Sequence, residues 1–333
     1  MERIGNFYRD RFSGLLVALT IAIAAVFLSD HYGAPTMLFA LLLGIAFNFL
    51  SEHERCAQGI DMAAKQVLRV GVALLGLRIS FAALQDLGLI PVVLVIAGVV
   101  TTIFLGIGLT RLFTKKTAFG CLTGGAVAIC GASAAMALSS VLPQGKDGER
   151  DTIFTVVTVT AFSTMAMVIY PIIAAALGLN EQQTGVFLGA TIHDVAQVVG
   201  AGYGVSDHTG DVATVVKLLR VAMLLPVVLI VMMVARAHLK ADKTSEAKLP
   251  FPWFVLGFVA LVILNSSVDI PVVISSTLID VSRWCIVMAV AALGMKTSFA
   301  ALVKVGWMPL VLMLVETLYL AGLALIVITF WMV

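Results

Sequence analysis

Long apolar stretches, each closed by a short polar break, follow one another along almost the whole chain. A helix needs about 20 apolar residues to cross a hydrocarbon core roughly 30 Å thick, and that length divides the sequence into spans. About eleven are predicted, at 12–30, 33–50, 60–85, 89–112, 117–142, 152–177, 183–204, 211–236, 251–268, 272–302 and 308–332. The expected fold is therefore an all-α polytopic membrane protein of about 10–11 transmembrane helices, forming one integral membrane domain over 1–333. Its longest hydrophilic stretch, Ala237 to Pro250, is too short for a soluble domain, so any chemistry takes place in or at the bilayer.

One pattern occurs twice. Gly76 to Pro91 reads GLRISFAALQDLGLIP, and Gly294 to Pro309 reads GMKTSFAALVKVGWMP without a gap. Shared Gly, Ser, Phe and Pro in a kept order mark a repeat rather than apolar filler. The match extends weakly outward: Ile60-Asp61 resembles Ile279-Asp280 one residue out of register, Lys65 aligns with Arg283, and the stretch ending at Asn48 resembles the one ending at Asn265. Segments 33–112 and 251–332 are thus related halves. Their matched turns differ in charge, Gln85-Asp86 in the first and Val303-Lys304 in the second. Short loops rich in Lys and Arg stay cytoplasmic, so the two turns are expected on opposite sides and the repeat is expected to be inverted. Secondary transporters commonly use this construction to open a central site to each side in turn.

Composition agrees with the span pattern. At 61 % hydrophobic and 12 % charged, with a mean hydropathy of +1.08, the chain departs from soluble domains, about a quarter of whose residues are charged. Cys56, Cys121, Cys130 and Cys285 show no Cys-x-x-Cys or Cys/His spacing, so no disulfide framework, metal or cofactor is expected, nor any nucleic-acid partner. Arg3, Arg9 and Arg11 precede an apolar run that continues as a span without a small-residue cleavage site, which argues against a secretory signal. This cluster, Arg111 to Lys116, and Arg236 to Lys248 are expected in the cytoplasm, with Ser29 to His31, Gln85-Asp86 and Ser206 to Asp211 outside. The N-terminus is then cytoplasmic. Lys146 and Arg150 fall on the outer side against this rule, and a re-entrant fifth segment would change the side of the C-terminus.

Three stretches carry candidate chemistry. In 117–142, Gly120, Gly124, Gly125 and Gly131 each cost about 1 kcal/mol against alanine, which predicts a break in the helix. Half-helix N-termini at such a break offer N–H groups and positive dipole ends to an anion, and Thr123 and Ser133 add hydroxyls. The same small residues also suit plain close packing of helices. In 183–204, His193 and Asp194 lie near mid-membrane between Gly189 and Gly200, where a charge costs about 2.5 kcal/mol or more and needs a partner. They read as a proton relay or as a helix-locking ion pair, with Gln197 a further ligand. In 211–236, the planar fork of Arg220 suits an oxyanion, or Arg220 and especially Lys217 snorkel to the outer surface. Arg78 and Lys296, matched cations of the repeat, read as interfacial anchors or as guards of two entrances. Glu316, alone in an apolar run, is with Asp194 a candidate for a coupling ion, or is the partner of a cation elsewhere.

The stretches GGAVAICGASA from Gly124 and TIHDVAQVVGA from Thr191, with the two G-[LM]-[RK]-x-S-F segments, resemble the YeiH-like family of bacterial inner-membrane proteins, described by inference as sulfate exporters. The resemblance spans nearly the whole chain. It implies kinship with transporters of the bile-acid and sodium/proton exchanger type, with two discontinuous helices, 117–142 and 183–204 here, crossing at mid-membrane. It also implies a small-anion transporter of the inner membrane, coupled to a proton or sodium, and leaves a homo-oligomer open. The expected site comprises Thr123, Gly124, Gly125, Gly131, Ser133, His193, Asp194, Gln197 and Arg220, with sulfate or sulfite the leading substrate. Alternatives are a sodium-coupled organic-anion carrier, a passive anion channel, or an intramembrane enzyme using His193 and Asp194 near Ser133. No nucleophile sits in a recognisable motif, so no enzymatic activity is expected. The inverted repeat is tested by replacing Gln85 and Val303 singly with Cys in a cysteine-free background: a membrane-impermeant reagent applied to one side should label one variant and spare the other.

Overall fold

A computed structural model describes residues 2–33, 35–79, 85, 87–113, 117–143, 148–238, 253–268, 270–297 and 307–332. Every regular element among them is helical. Asp86, Lys146, Lys240 to Lys248, Val303 and Lys304, on which the expectations for sidedness rest, lie outside the described residues. Each of the eleven expected spans overlaps helix among the described residues, with interruptions inside 117–142 and 183–204. Six helical segments are long and apolar enough to cross a membrane: Arg11–Tyr32, Ile90–Leu112, Gly148–Ala176, Asp207–Ala235, Val272–Lys296 and Trp307–Trp331. Large apolar side chains such as Phe27, Phe104, Ile172 and Ile326 stand exposed on them. Helices that are apolar on the outward face as well as the inward one need lipid as their solvent. The protein is an all-α, multi-pass membrane protein.

The chain divides into two compact units. The first comprises Met1–Leu87, Val199–Asp211 and Trp253–Ser298. Glycines decide its packing, because helices in lipid associate through close backbone approach rather than hydrophobic burial. A Cβ on Gly59 would stand 2.7 Å from Gly14 Cα, and one on Gly294 would stand 2.9 Å from Gly44 Cα. The repeat is visible here in bonds as well as letters. Asn48 Nδ2 donates to the carbonyls of Met295 (2.6 Å) and Thr297 (3.1 Å), and Asn265 Nδ2 donates to the carbonyl of Ile79 (3.3 Å), which occupies the same place in the first copy as Thr297 in the second. Lys296 pairs with Asp61 while Ser282 Oγ donates to Gly71 O at 2.6 Å, so the two copies' helices run antiparallel. The matched cations differ in partners: Lys296 shares Asp61 with Lys65, whereas Arg78 meets Asp211 at 3.1 Å and Asp207 at 3.4 Å and covers the Tyr203 ring.

The second unit comprises Gly88–Val198, Val212–Pro252 and Phe299–Val333. Helices Ile90–Phe113 and Thr117–Ala128 nearly touch, since a Cβ on Gly124 would stand 2.8 Å from Thr102 O and 2.9 Å from Ile103 Cα. Helix Glu181–Thr191 starts from a capping box in which Asn180 Oδ1 accepts from Gln183 N (2.8 Å) and Asn180 N donates to Gln183 Oε1 (3.0 Å). Forcing a branched side chain between backbones costs about 1–3 kcal/mol or more, so Gly294→Leu should lower the thermal unfolding temperature in detergent clearly. Gly322→Ala, where no atom lies within 4 Å of the added carbon, should leave stability within about 0.5 kcal/mol.

Candidate functional site

Two helices of the second unit stop inside the structure and restart. Helix Thr117–Ala128 gives way at Ile129, Cys130 and Gly131 before Ala132–Ser139 begins. Gly131 has φ of 64°, a left-handed conformation that side chains with a Cβ rarely adopt, and a carbon added there would stand 3.7 Å from His193. Helix Glu181–Thr191 ends likewise, with Ile192 extended (φ −65°, ψ 137°), and Val195–Val205 begins after Asp194. His193 bridges the breaks: its Nδ1 lies 3.0 Å from Val127 O and its Nε2 lies 3.1 Å from Thr317 Oγ1. A carbonyl only accepts, so the neutral ring carries its proton on Nδ1 and accepts from Thr317 at Nε2.

A helix that stops leaves its last carbonyls without partners and a partial negative charge of about half a unit at that end. Two cations from helix Asp207–Ala222 meet both needs. Lys217 Nζ donates to Ile129 O (2.8 Å), Ile192 O (3.0 Å) and His193 O. Arg220 donates through Nε to Ala128 O (2.8 Å), through Nη2 to Val127 O (2.8 Å), and through Nη1 to Gly189 O (3.1 Å) and Ile192 O (2.9 Å). Lys217 is 0 % exposed and Arg220 1 %, so neither snorkels to a surface. Arg220, expected to hold out a fork to an oxyanion, instead holds four backbone carbonyls.

The other expected residues separate into groups. Gly131, His193, Asp194 and Arg220 meet at the paired breaks. Asp194 is half-buried; its Oδ1 accepts from Ala196 N at 2.9 Å and caps the second half-helix, and its own N–H donates to Ser163 Oγ at 2.9 Å. Both ring nitrogens of His193 are engaged by Val127 and Thr317 rather than by Asp194. Gln197 is buried and donates from Nε2 to Thr164 Oγ1 at 2.8 Å, while its Oε1 has no partner among the described residues. Ser133 is exposed in the first turn of Ala132–Ser139, a helix whose N-cap, Gly131, supplies no side-chain cap. Thr123, Gly124 and Gly125 lie apart, inside helix Thr117–Ala128: Thr123 donates to Glu316 Oε1 at 2.8 Å, Gly124 packs on Thr102 and Ile103, and Gly125 faces Leu138. Sequence reading missed Thr317, Ser163 and Thr164. Threonine and serine in apolar helices usually bond their own backbone, so nothing in their spacing singles them out. No group of three or more His, Cys, Asp or Glu suited to a metal occurs among the described residues.

Comparison with known proteins places the chain. The profile of the family described as conserved hypothetical protein 698 matches residues 13–313. A UPF0324 membrane protein of Chlorobaculum tepidum is 53 % identical over 315 residues, covering 94 % of this chain and 88 % of the relative. The UPF0324 membrane protein TauZ of Paracoccus pantotrophus is 51 % identical over 314 residues, covering 94 % and 93 %. A Rhizobium meliloti UPF0324 membrane protein is 51 % identical over 309 residues, covering 92 % and 90 %. No solved structure matches the chain. The chain belongs to the UPF0324 family, the YeiH-like family whose motifs it carries.

Removing one partner of a buried, charge-assisted network costs about 3–5 kcal/mol, because the carbonyls left behind have neither protein nor water to bond. Arg220→Ala should therefore lower the unfolding temperature in detergent sharply, and Arg220→Lys should recover part of the loss by keeping the charge without the fork.

Proposed function

We propose that this UPF0324 protein is a secondary transporter of a small anion, that the paired helix breaks are its substrate site, and that it works by alternating access in the bacterial inner membrane with its N-terminus in the cytoplasm. The observation that carries the reading is the charge balance at the breaks. Lys217 and Arg220 bring two full positive charges into a site with one acidic side chain, Asp194, among the described residues. The two helix ends that the cations cap contribute about half a negative charge each, and the two helix starts about half a positive charge each. With His193 neutral, about one positive charge remains, and in a low-dielectric interior such an excess attracts a counter-anion.

The donors nearest that excess suit an oxyanion. The start of Ala132–Ser139 offers backbone N–H groups without a side-chain cap, and the exposed Ser133 hydroxyl stands in the same turn. The start of Val195–Val205 is already occupied by the Asp194 carboxylate, so the two breaks are electrically unlike. Arg220 and Lys217 act on the anion through their field, not by touching it. Sulfate or sulfite is the leading substrate: a compact anion rich in acceptor oxygens suits backbone and hydroxyl donors. The antiparallel repeat copies supply the symmetry that alternating access uses.

Purified protein in liposomes should take up labelled sulfate or sulfite with saturation and counterflow; flux without either would mark a channel, and flux requiring sodium with organic acids would mark the bile-acid-type carrier. Two variants should shift affinity in opposite directions. Ser133→Ala removes one hydrogen bond and should weaken anion binding by roughly threefold to tenfold. Asp194→Asn keeps a good helix cap but deletes the opposing charge, so it should tighten binding by about tenfold. If both variants bind as the parent does, the anion lies elsewhere.

A further inference from the structure

A second buried polar cluster lies in the second unit apart from the breaks. Glu316, midway along helix Trp307–Trp331, is 0 % exposed. Its Oε1 accepts from Thr123 Oγ1 at 2.8 Å, and its Oε2 has no hydrogen-bond partner among the described residues. The space it fills is made by glycine: a Cβ on Gly106 would stand 2.5 Å from Glu316 Oε1 and 2.5 Å from Gly120 O. One helical turn before Gly106, the Thr102 hydroxyl is also fully buried and also without a partner.

No cation among the described residues faces this carboxyl. The helices packed on Trp307–Trp331 are Ile90–Phe113, Thr117–Ala128, Gly148–Ala176 and Glu181–Thr191. Their charged residues, Arg111, Glu149, Arg150, Asp151 and Glu181, stand at the helix ends, and the remaining titratable groups are Cys121 and Tyr170, the latter against Phe187. His193 reaches this helix only at Thr317. An ionised carboxylate in a dry interior with a single neutral donor is heavily penalised, whereas a carboxylic acid is not. A sodium ion would need several converging oxygens, and the side chain bonded to Glu316 is one threonine.

We propose that Glu316 is a proton-binding site and, in the transporter read above on which this second part rests, the group that loads and releases the coupling proton. The carboxylate takes up one proton at Oε2 in the dry state and returns it to water when movement of the packed helices hydrates the site. Thr123 holds Oε1 throughout.

Infrared spectra of the full-length protein in lipid nanodiscs, grown with isotope-labelled glutamate, test the proton directly. Glu52, Glu54, Glu149 and Glu181 are exposed, so Glu316 is the one buried glutamate among the described side chains. A label-shifted carbonyl band of a protonated carboxyl should persist at neutral pH in the parent and vanish in Glu316→Gln; its absence in the parent overturns the site. Should Glu316→Gln fail to fold, Gly106→Ala, which crowds Oε1, should shift the same band. In liposomes loaded with sulfate or sulfite, a pH gradient should stimulate anion flux in the parent, and the stimulation should be lost in Glu316→Gln. Equal stimulation in both, or stimulation by sodium instead of a pH gradient, overturns the coupling role. Parent protein that moves neither anion would sink the transport reading, while the infrared band would still decide the proton site.

Discussion

A helix cannot simply stop inside a membrane. Its last carbonyls need donors, lipid supplies none, and each group left unbonded costs several kcal/mol. Two helices of this protein stop within a few ångströms of each other, so the demand is doubled at one place. Lys217 and Arg220 answer it from one face of one helix, three residues apart, with seven hydrogen bonds to the carbonyls of Val127, Ala128, Ile129, Gly189, Ile192 and His193. The rest of the second unit is arranged to make that possible: helix Gly148–Ala176 holds Asp194 and Gln197 through Ser163 and Thr164, and Thr317 holds His193.

The solution has an electrical consequence. Side chains that satisfy carbonyls are necessarily donors, and donors strong enough to hold several carbonyls in lipid are cations. Sealing two helix ends therefore imports more positive charge than the ends themselves carry, and among the described residues one carboxylate, Asp194, sits beside it. In the function proposed here, anion attraction follows from the way the breaks are stabilised.

Much of this was legible in the sequence, and the part that was not has a common cause. Apolar length located the six long helices, because the bilayer imposes that length whatever the tertiary structure. The repeat was legible because Asn48 and Asn265 bond matching carbonyls in the two copies, and Gly76, packed on Phe258 and Leu261, matches Gly294, packed on Leu41 and Gly44. Gly131 was readable as a break, yet Gly120 and Gly124, grouped with it by composition, serve close packing against Ile90–Phe113; only backbone conformation separates the two uses of glycine. Arg220 was readable as a cation in an apolar span, either facing an anion or snorkelling to the surface, and its burial settles against the surface. Its partners were not, since they are backbone carbonyls some 28 to 93 residues away and no letter in the sequence marks a carbonyl as unbonded. The same holds for Thr123 and Glu316, which meet across 193 residues.

The two polar clusters are separate in chemistry and joined in mechanics. Glu316 and Thr317 are neighbours on one helix; Thr123 and Val127 are one turn apart on another. Glu316 bonds Thr123, and Thr317 reaches Val127 through His193. The same two helices are therefore tied twice, once by a carboxyl at a packed glycine face and once by an imidazole at the helix breaks. A slide of helix Trp307–Trp331 against Thr117–Ala128 that opened Glu316 to water would also pull, through the adjacent Thr317, on His193, whose carbonyl is held by Lys217. Packing around these ties is tight: Gly106 of helix Ile90–Phe113 lies against both Glu316 Oε1 and the Gly120 carbonyl, so a third helix is wedged against the pair. In the transporter proposed here, coupling a proton to an anion needs two sites that bias one element, and both proposed sites grip this pair of helices.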